Sequence, residues 1–179
     1  MDNHIIITGK TGSGKSFMAL EIATKHVGTT LILNDCAEKK NYETTFPALK
    51  AFEQIRMKKQ VCIKTGGKYF ISRKPLWEGN QEPMLENAII FDEEYAALRN
   101  DQNALVAFDD GIWYFVKDKK AALDQLAKTK CKVVIVVQCM PELTGDPWME
   151  IPAEKTEALK ENWKIYACEK RTTWVMEEI

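Results

Sequence analysis

His4-Ile5-Ile6-Ile7-Thr8-Gly9-Lys10-Thr11-Gly12-Ser13-Gly14-Lys15-Ser16 is the stretch that decides the fold. Its first half is a short β-branched run, apolar on both faces, as a strand buried inside a parallel sheet requires. Its second half, Gly9–Ser16, is a full match to G-x-x-x-x-G-K-[ST]. Glycines let the backbone close tightly around phosphate, and successive N–H groups at a helix start form a nest for anions. Lys15 is placed to reach the β- and γ-phosphates, and the Ser16 hydroxyl to ligate Mg2+. Gly9, Lys10, Thr11, Gly12, Ser13, Gly14, Lys15, Ser16 and Phe17 are therefore the expected ATP-binding residues. A helix over Ser16–His26 follows, with Phe17, Ala19, Leu20 and Ala23 at helical spacing.

Outward from this stretch, β-branched runs alternate with helical ones, the pattern of an α/β fold with a parallel sheet. The expected core strands are His4–Thr8, Thr30–Leu33, Ala88–Phe91, Val133–Val137 and Lys164–Cys168, with Thr173–Met176 pairing with the last. Tyr42–Lys59 reads as mostly helical, Glu93–Arg99 as a helix start, and residues 100–130 as largely helical. Val61–Lys64 and Tyr69–Ser72 flank Thr65-Gly66-Gly67, a hairpin signal. Pro141–Pro152 reads as a long loop. The 179 residues are expected to form a single domain, residues 1–179. With 45% hydrophobic and 28% charged residues the composition is that of a globular chain, not a disordered one. A net charge of −1 gives no global field toward nucleic acid or membrane, so any such surface is local. No apolar run is long enough to span a bilayer, and the first residues lack a basic leader pattern. The five cysteines (Cys36, Cys62, Cys131, Cys139, Cys168) contain no C-x-x-C pair and read as reduced thiols, which points to the cytoplasm.

A second acidic feature is Ala88-Ile89-Ile90-Phe91-Asp92-Glu93, an apolar run ending in two acids at the carboxyl end of a strand. Ligands of open α/β sheets bind at that end. Asp92 suits the Mg2+ shell and Glu93 the polarisation of an attacking water. Glu94 competes for the second role, but an acid there also suits the first turn of the following helix. Gln138, directly after Val133–Val137, is placed to contact a γ-phosphate.

A P-loop strand, an Asp-Glu strand and a strand ending in Gln together resemble the FtsK–HerA group of P-loop ATPases. Ile5–Ala23 is also similar to the start of the filamentous-phage assembly ATPases of the zonula-occludens-toxin family. Val133–Leu143 and Glu161–Lys170 match later stretches of the group. The resemblance implies a P-loop NTPase three-layer fold with core strand order 5-1-4-3-2. It also implies a Mg2+-dependent ATPase that moves DNA as a homo-oligomeric ring, with viral or plasmid genome packaging as the natural setting. A capsid or secretion machine is the partner it implies, in the host cytoplasm or the virion. The group's usual basic pair with arginine before the Gln-bearing strand is here Lys128 and Lys130. For a cation supplied across a subunit boundary, Arg171 at an exposed turn ranks first, then Arg99 and Lys128.

Residues 56–74 carry Arg56, Lys58, Lys59, Lys64, Lys68, Arg73 and Lys74 and no acid, a local charge of +7. With Tyr69 and Phe70 inside it, this segment is the expected DNA track. The competing reading is a lysine-rich sheet edge that resists aggregation. The alternative enzyme class is a small P-loop kinase acting on a nucleoside or metabolite. A third reading is a nucleotide-binding scaffold without hydrolysis.

Overall fold

The computed structural model describes residues 4–34, 38–56, 63–72, 95–109, 118–138, 153–170 and 174–179. In chain order these form β1 (Ile5–Thr8), α1 (Lys15–Lys25), β2 (Thr30–Asn34), β3 (Glu53–Arg56), β4 (Lys68–Ser72) and α2 (Ala96–Asn100). β5 (Leu105–Phe108), α3 (Lys119–Leu126), β6 (Lys132–Val137), α4 (Ala153–Lys160), β7 (Lys164–Lys170) and β8 (Trp174–Glu178) follow. All strands among the described residues lie in one eight-stranded sheet of order β3-β4-β2-β5-β6-β1-β7-β8. Every pairing is parallel except β7 with β8.

Counted as core strands, β1, β2, β5, β6 and β7 stand in the order 5-1-4-3-2 that the sequence leads one to expect. One assignment within that order differs. The third core strand is Leu105–Phe108, inside a region read as helical; Ala88–Phe91 lies outside the described residues. Leu105–Phe108 is buried along its whole length, and a strand walled in on both sides has no solvent face to reveal its period.

Alternation along the strands builds two cores. Ile5, Ile7, Ile32, Phe70, Leu105, Ala107, Val134 and Val136 face α1, whose Ala19, Leu20 and Ala23 pack down on them. The small alanines let the helix approach the sheet closely. Ile6, Leu31, Leu33, Val106, Phe108, Val133, Ile135 and Val137 face the other way, covered by Leu98 of α2 and Ala122, Leu123 and Leu126 of α3. Helix, sheet and helix make three layers. Among the described residues no helix is long and apolar enough to cross a membrane.

Two local expectations are corrected. Tyr42–Lys59 is not mostly helical: its described part holds a 3-10 turn over Pro47–Ala51 and then β3, with another such turn just before it at Lys39–Asn41. Pro47 lacks an N–H, and Thr44, Thr45 and the aromatics around them are poor propagators, so no helix extends through the segment. The Gly66-Gly67 turn does not join a hairpin either. Tyr69–Ser72 belongs to β4, which pairs in parallel with both β2 and β3. Ile63 and Lys64 are outside any strand, and Gly67 N donates to Lys64 O at 2.9 Å to close the turn.

At the amino end of β1, His4 is buried against Trp163, ring centroids 5.1 Å apart. Burial pushes its pKa below the ordinary 6.5, against a smaller upward pull from the backbone of Ala127 and Thr129. The neutral imidazole is thus favoured in the fold, while the unfolded chain takes up a proton below pH 6.5. The contribution is whole above that value and is lost as pH falls toward the lowered, folded-state pKa. The stability of His4→Phe, followed by urea unfolding between pH 7.5 and 5.5, should therefore depend less on pH than that of the parent. Equal slopes for the two proteins would refute this.

Candidate nucleotide site

β1 delivers the chain to Gly9, whose φ is +148°. A Cβ there would stand 2.4 Å from the Cys168 carbonyl oxygen and 2.7 Å from Ser13 Oγ, so only glycine fits. The loop turns back on itself through Ser13 N donating to Lys10 O at 3.1 Å. Gly14, in the left-handed region at φ 93°, caps α1, and Met18 N donates to its carbonyl. The first-turn amides of α1, on Lys15, Ser16 and Phe17, therefore have no acceptor within the helix. They are the donors an anion needs.

Lys15 is 4% exposed, and its Nζ donates to Lys10 O at 3.1 Å, folding back across the loop. Ser13 Oγ is buried without a hydrogen-bond partner among the described residues. From the side of the sheet, Cys168 Sγ donates to the Ser13 carbonyl at 2.9 Å. Burial raises the Cys168 pKa, outweighing the downward pull of the nearby Ser13 side chain and Lys15 charge, so it stays a thiol.

Ser16 Oγ donates to Asp109 Oδ1 at 2.7 Å, and Asn34 Nδ2 donates to Asp109 Oδ2 at 2.5 Å. Asp109 follows β5 directly, is 3% exposed, and continues the sheet by donating its N–H to Leu33 O. Asp109 is thus an acid beside Ser16 that the sequence reading does not name. Asp92, Glu93 and Glu94 lie outside the described residues, as does Arg171. Gln138 stands at the carboxyl end of β6, where Thr11 Oγ1 lies 3.4 Å from its Oε1, a long hydrogen bond. Phe17 turns its ring away into packing against Tyr42 and Phe46, with centroids at 6.2 and 5.6 Å.

Arg99 and Lys128 do not join this group. The Arg99 carbonyl accepts from Lys130 N and Cys131 N, next to the start of β6, and Lys128 closes the turn after α3. Both lie at the amino end of β6, about 20 Å along the strand from Gln138.

The basic segment is also divided. Lys64 and Lys68 lie at the amino ends of the strands, away from the loop. Lys68 is tied down, donating to His26 O at 3.1 Å and lying 5.5 Å over the Phe52 ring. Arg56 ends β3 at the opposite, carboxyl edge, in register with Ser72. Lys58, Lys59, Arg73 and Lys74 lie outside the described residues.

Asp109 and Asn34 are the site residues that sequence reasoning missed. The signal was present: Ala104-Leu105-Val106-Ala107-Phe108-Asp109-Asp110 repeats the pattern of an apolar run ending in two acids. A strand bearing the phosphate loop, an acid one strand beyond its neighbour and a helix rising from Lys15 define the class. This is a P-loop NTPase fold. No protein-family model matches the sequence, and no curated protein is significantly similar to it. Among solved structures, the ATPase DotB of Legionella pneumophila superposes with a TM-score of 0.46 at 13% identity. The match covers 99% of this chain and 44% of DotB, so the chain spans less than half the length of that protein.

The residues suit a magnesium nucleotide. A hydroxyl has one hydrogen and two lone pairs, so Ser16 can donate to Asp109 while its oxygen still faces a cation. The Ser13 hydroxyl, buried and without a partner among the described residues, and the Lys15 ammonium both suit an incoming anion.

Proposed function

We propose that this chain is a Mg2+-dependent ATPase that couples hydrolysis to the movement of DNA, as one subunit of a homo-oligomeric ring engaged in genome packaging. The hydrolytic reading rests above all on the Ser16–Asp109 hydrogen bond beneath the glycine loop. Lys15 and the first-turn amides of α1 bind and orient the phosphates; Ser16 and Asp109 hold the cation. When bound, Mg2+ supplies positive charge against the phosphate oxygens. The spacing that makes Asp109 the metal-binding acid also moves the water-polarising role from Glu93 to the next residue, Asp110. Gln138 registers the γ-phosphate through the loop in this proposal, a role supported by its hydrogen bond with Thr11.

The DNA and ring elements of the proposal draw on the resemblance carried by Gly9–Ser16 and Val133–Gln138. With Arg99 and Lys128 at the far end of β6, Arg171 remains first choice for the cation supplied to a neighbour. The deciding experiment follows phosphate release against DNA concentration, with the mass of the assembled particle measured in parallel. The expected result is hydrolysis that rises with DNA in a multi-subunit particle. Hydrolysis indifferent to DNA removes the translocation reading and leaves the ATPase. Transfer of phosphate to a nucleoside acceptor instead of water makes the chain a kinase.

A further inference from the structure

We infer that Asn34 is a positioning residue for the metal-binding carboxylate: its amide fixes Asp109 in the orientation in which Asp109 and Ser16 present themselves to one divalent cation. The inference rests on the nucleotide reading above and assigns a role to a residue outside the phosphate loop.

An ionised carboxylate only accepts hydrogen bonds, so the group facing Asp109 Oδ2 must be the amide nitrogen of Asn34. Both side chains are buried, 4% and 3% exposed. Each Asp109 oxygen thus has its own donor, Ser16 on one and Asn34 on the other. Rotating the carboxylate would break both bonds in a place with little water to replace them.

Asn34 also stands on a fixed base. It is the last residue of β2, and the ladder between β2 and β5 runs through Leu33 and Phe108 and on to Asp109 N with Leu33 O. On its other side it is in register with Ser72 of β4. Ser72 Oγ accepts from Gln54 Nε2 at 2.8 Å, and Gln54 also donates to Phe70 O. Polar side chains thus close the carboxyl ends of β2 and β4, with Gln54 reaching to Ser72 from within β3. A neutral amide is the right choice at this position. An acid there would set two buried carboxylates against each other and favour protonation of one of them.

Outer groups that orient a metal-binding side chain typically change metal affinity or activity by about 10–100-fold when removed. Asn34→Leu keeps the size and removes the donor, whereas Asn34→Ser keeps a donor on a shorter arm. Binding of a fluorescent ATP analogue to the full chain would be measured first in EDTA and then across a Mg2+ titration. The expected result is that Asn34→Leu binds the analogue like the parent in EDTA but needs about 10–100-fold more Mg2+ for the metal-dependent gain. Asn34→Ser should fall between the two. An unchanged Mg2+ requirement in Asn34→Leu overturns the inference, as does a loss of binding in EDTA that matches the loss in Mg2+. A parent protein that binds the analogue in neither condition overturns the nucleotide reading itself, a failure distinct from the other two.

Discussion

Asp109→Asn should reduce Mg2+-dependent ATP hydrolysis by at least about a hundredfold, while Asp92→Asn should leave it near the parental rate. The change preserves volume, and Ser16 can still donate to the amide oxygen, so the local packing of β5 survives. What is lost is the negative charge in a pocket where Asp109 is almost wholly buried. A divalent cation there loses its fixed anionic partner, and charge in a poorly solvated site is worth far more than in water. The two variants together decide between the apolar-acid runs Ala104–Asp110 and Ala88–Glu93. Loss of hydrolysis in Asp92→Asn with normal rates in Asp109→Asn would reverse the assignment. The adjacent pair extends the test. Asp110→Asn should bind ATP normally and hydrolyse it about a hundredfold more slowly or worse, with Glu93→Gln unaffected.

Lys15→Ala should weaken ATP binding by about 10–100-fold, the scale of one or two charge-assisted hydrogen bonds removed without replacement. Lys15 is a buried cation that bridges its own loop through Lys10 O at 3.1 Å. A triphosphate in the loop brings anionic oxygens within reach of that ammonium, and an alanine side chain carries no charge to meet them. Lys15→Arg should not rescue, because the larger planar fork must enter a space that holds a 4%-exposed lysine. Calorimetry of the two variants against the parent checks both statements. Parental affinity in Lys15→Ala would mean that the loop amides alone bind the nucleotide.

Much of the fold was legible because its strands carry strong local signals. Ile5–Ile7 and Val133–Val137 are unbroken β-branched runs, and each is bounded by a residue that ends a strand. Their order in the sheet followed from the resemblance rather than from periodicity. Leu105–Phe108 was less legible: it has a single β-branched residue, and the helical stretches around it set the reading of the whole region. The more strand-like Ala88–Phe91 then took its role. β3, Glu53-Gln54-Ile55-Arg56, is an edge strand whose polar side chains say nothing of the β4 pairing that makes it a strand. Within the site, the glycines, Lys15 and Ser16 follow from spacing alone. Asn34 does not, because an amide at a strand end acquires meaning only when a strand distant in sequence brings a carboxylate to it.

The rigid seat of the glycine loop has a consequence for the order in which the protein can be made. β1 leaves the ribosome well before its sheet neighbours β6 and β7, with which it pairs through Ile5 with Val134 and with Lys164. The loop that follows it leans on Cys168, 155 positions later, through Ser13. Until those residues are synthesised, β1 has neither partner, and a nascent chain carries an apolar isoleucine run with both edges open. The seat of the glycine loop is therefore completed late in synthesis, when β7 closes beside β1. Until then Ile5–Ile7 is an apolar strand with open edges, the kind of segment that chaperones cover.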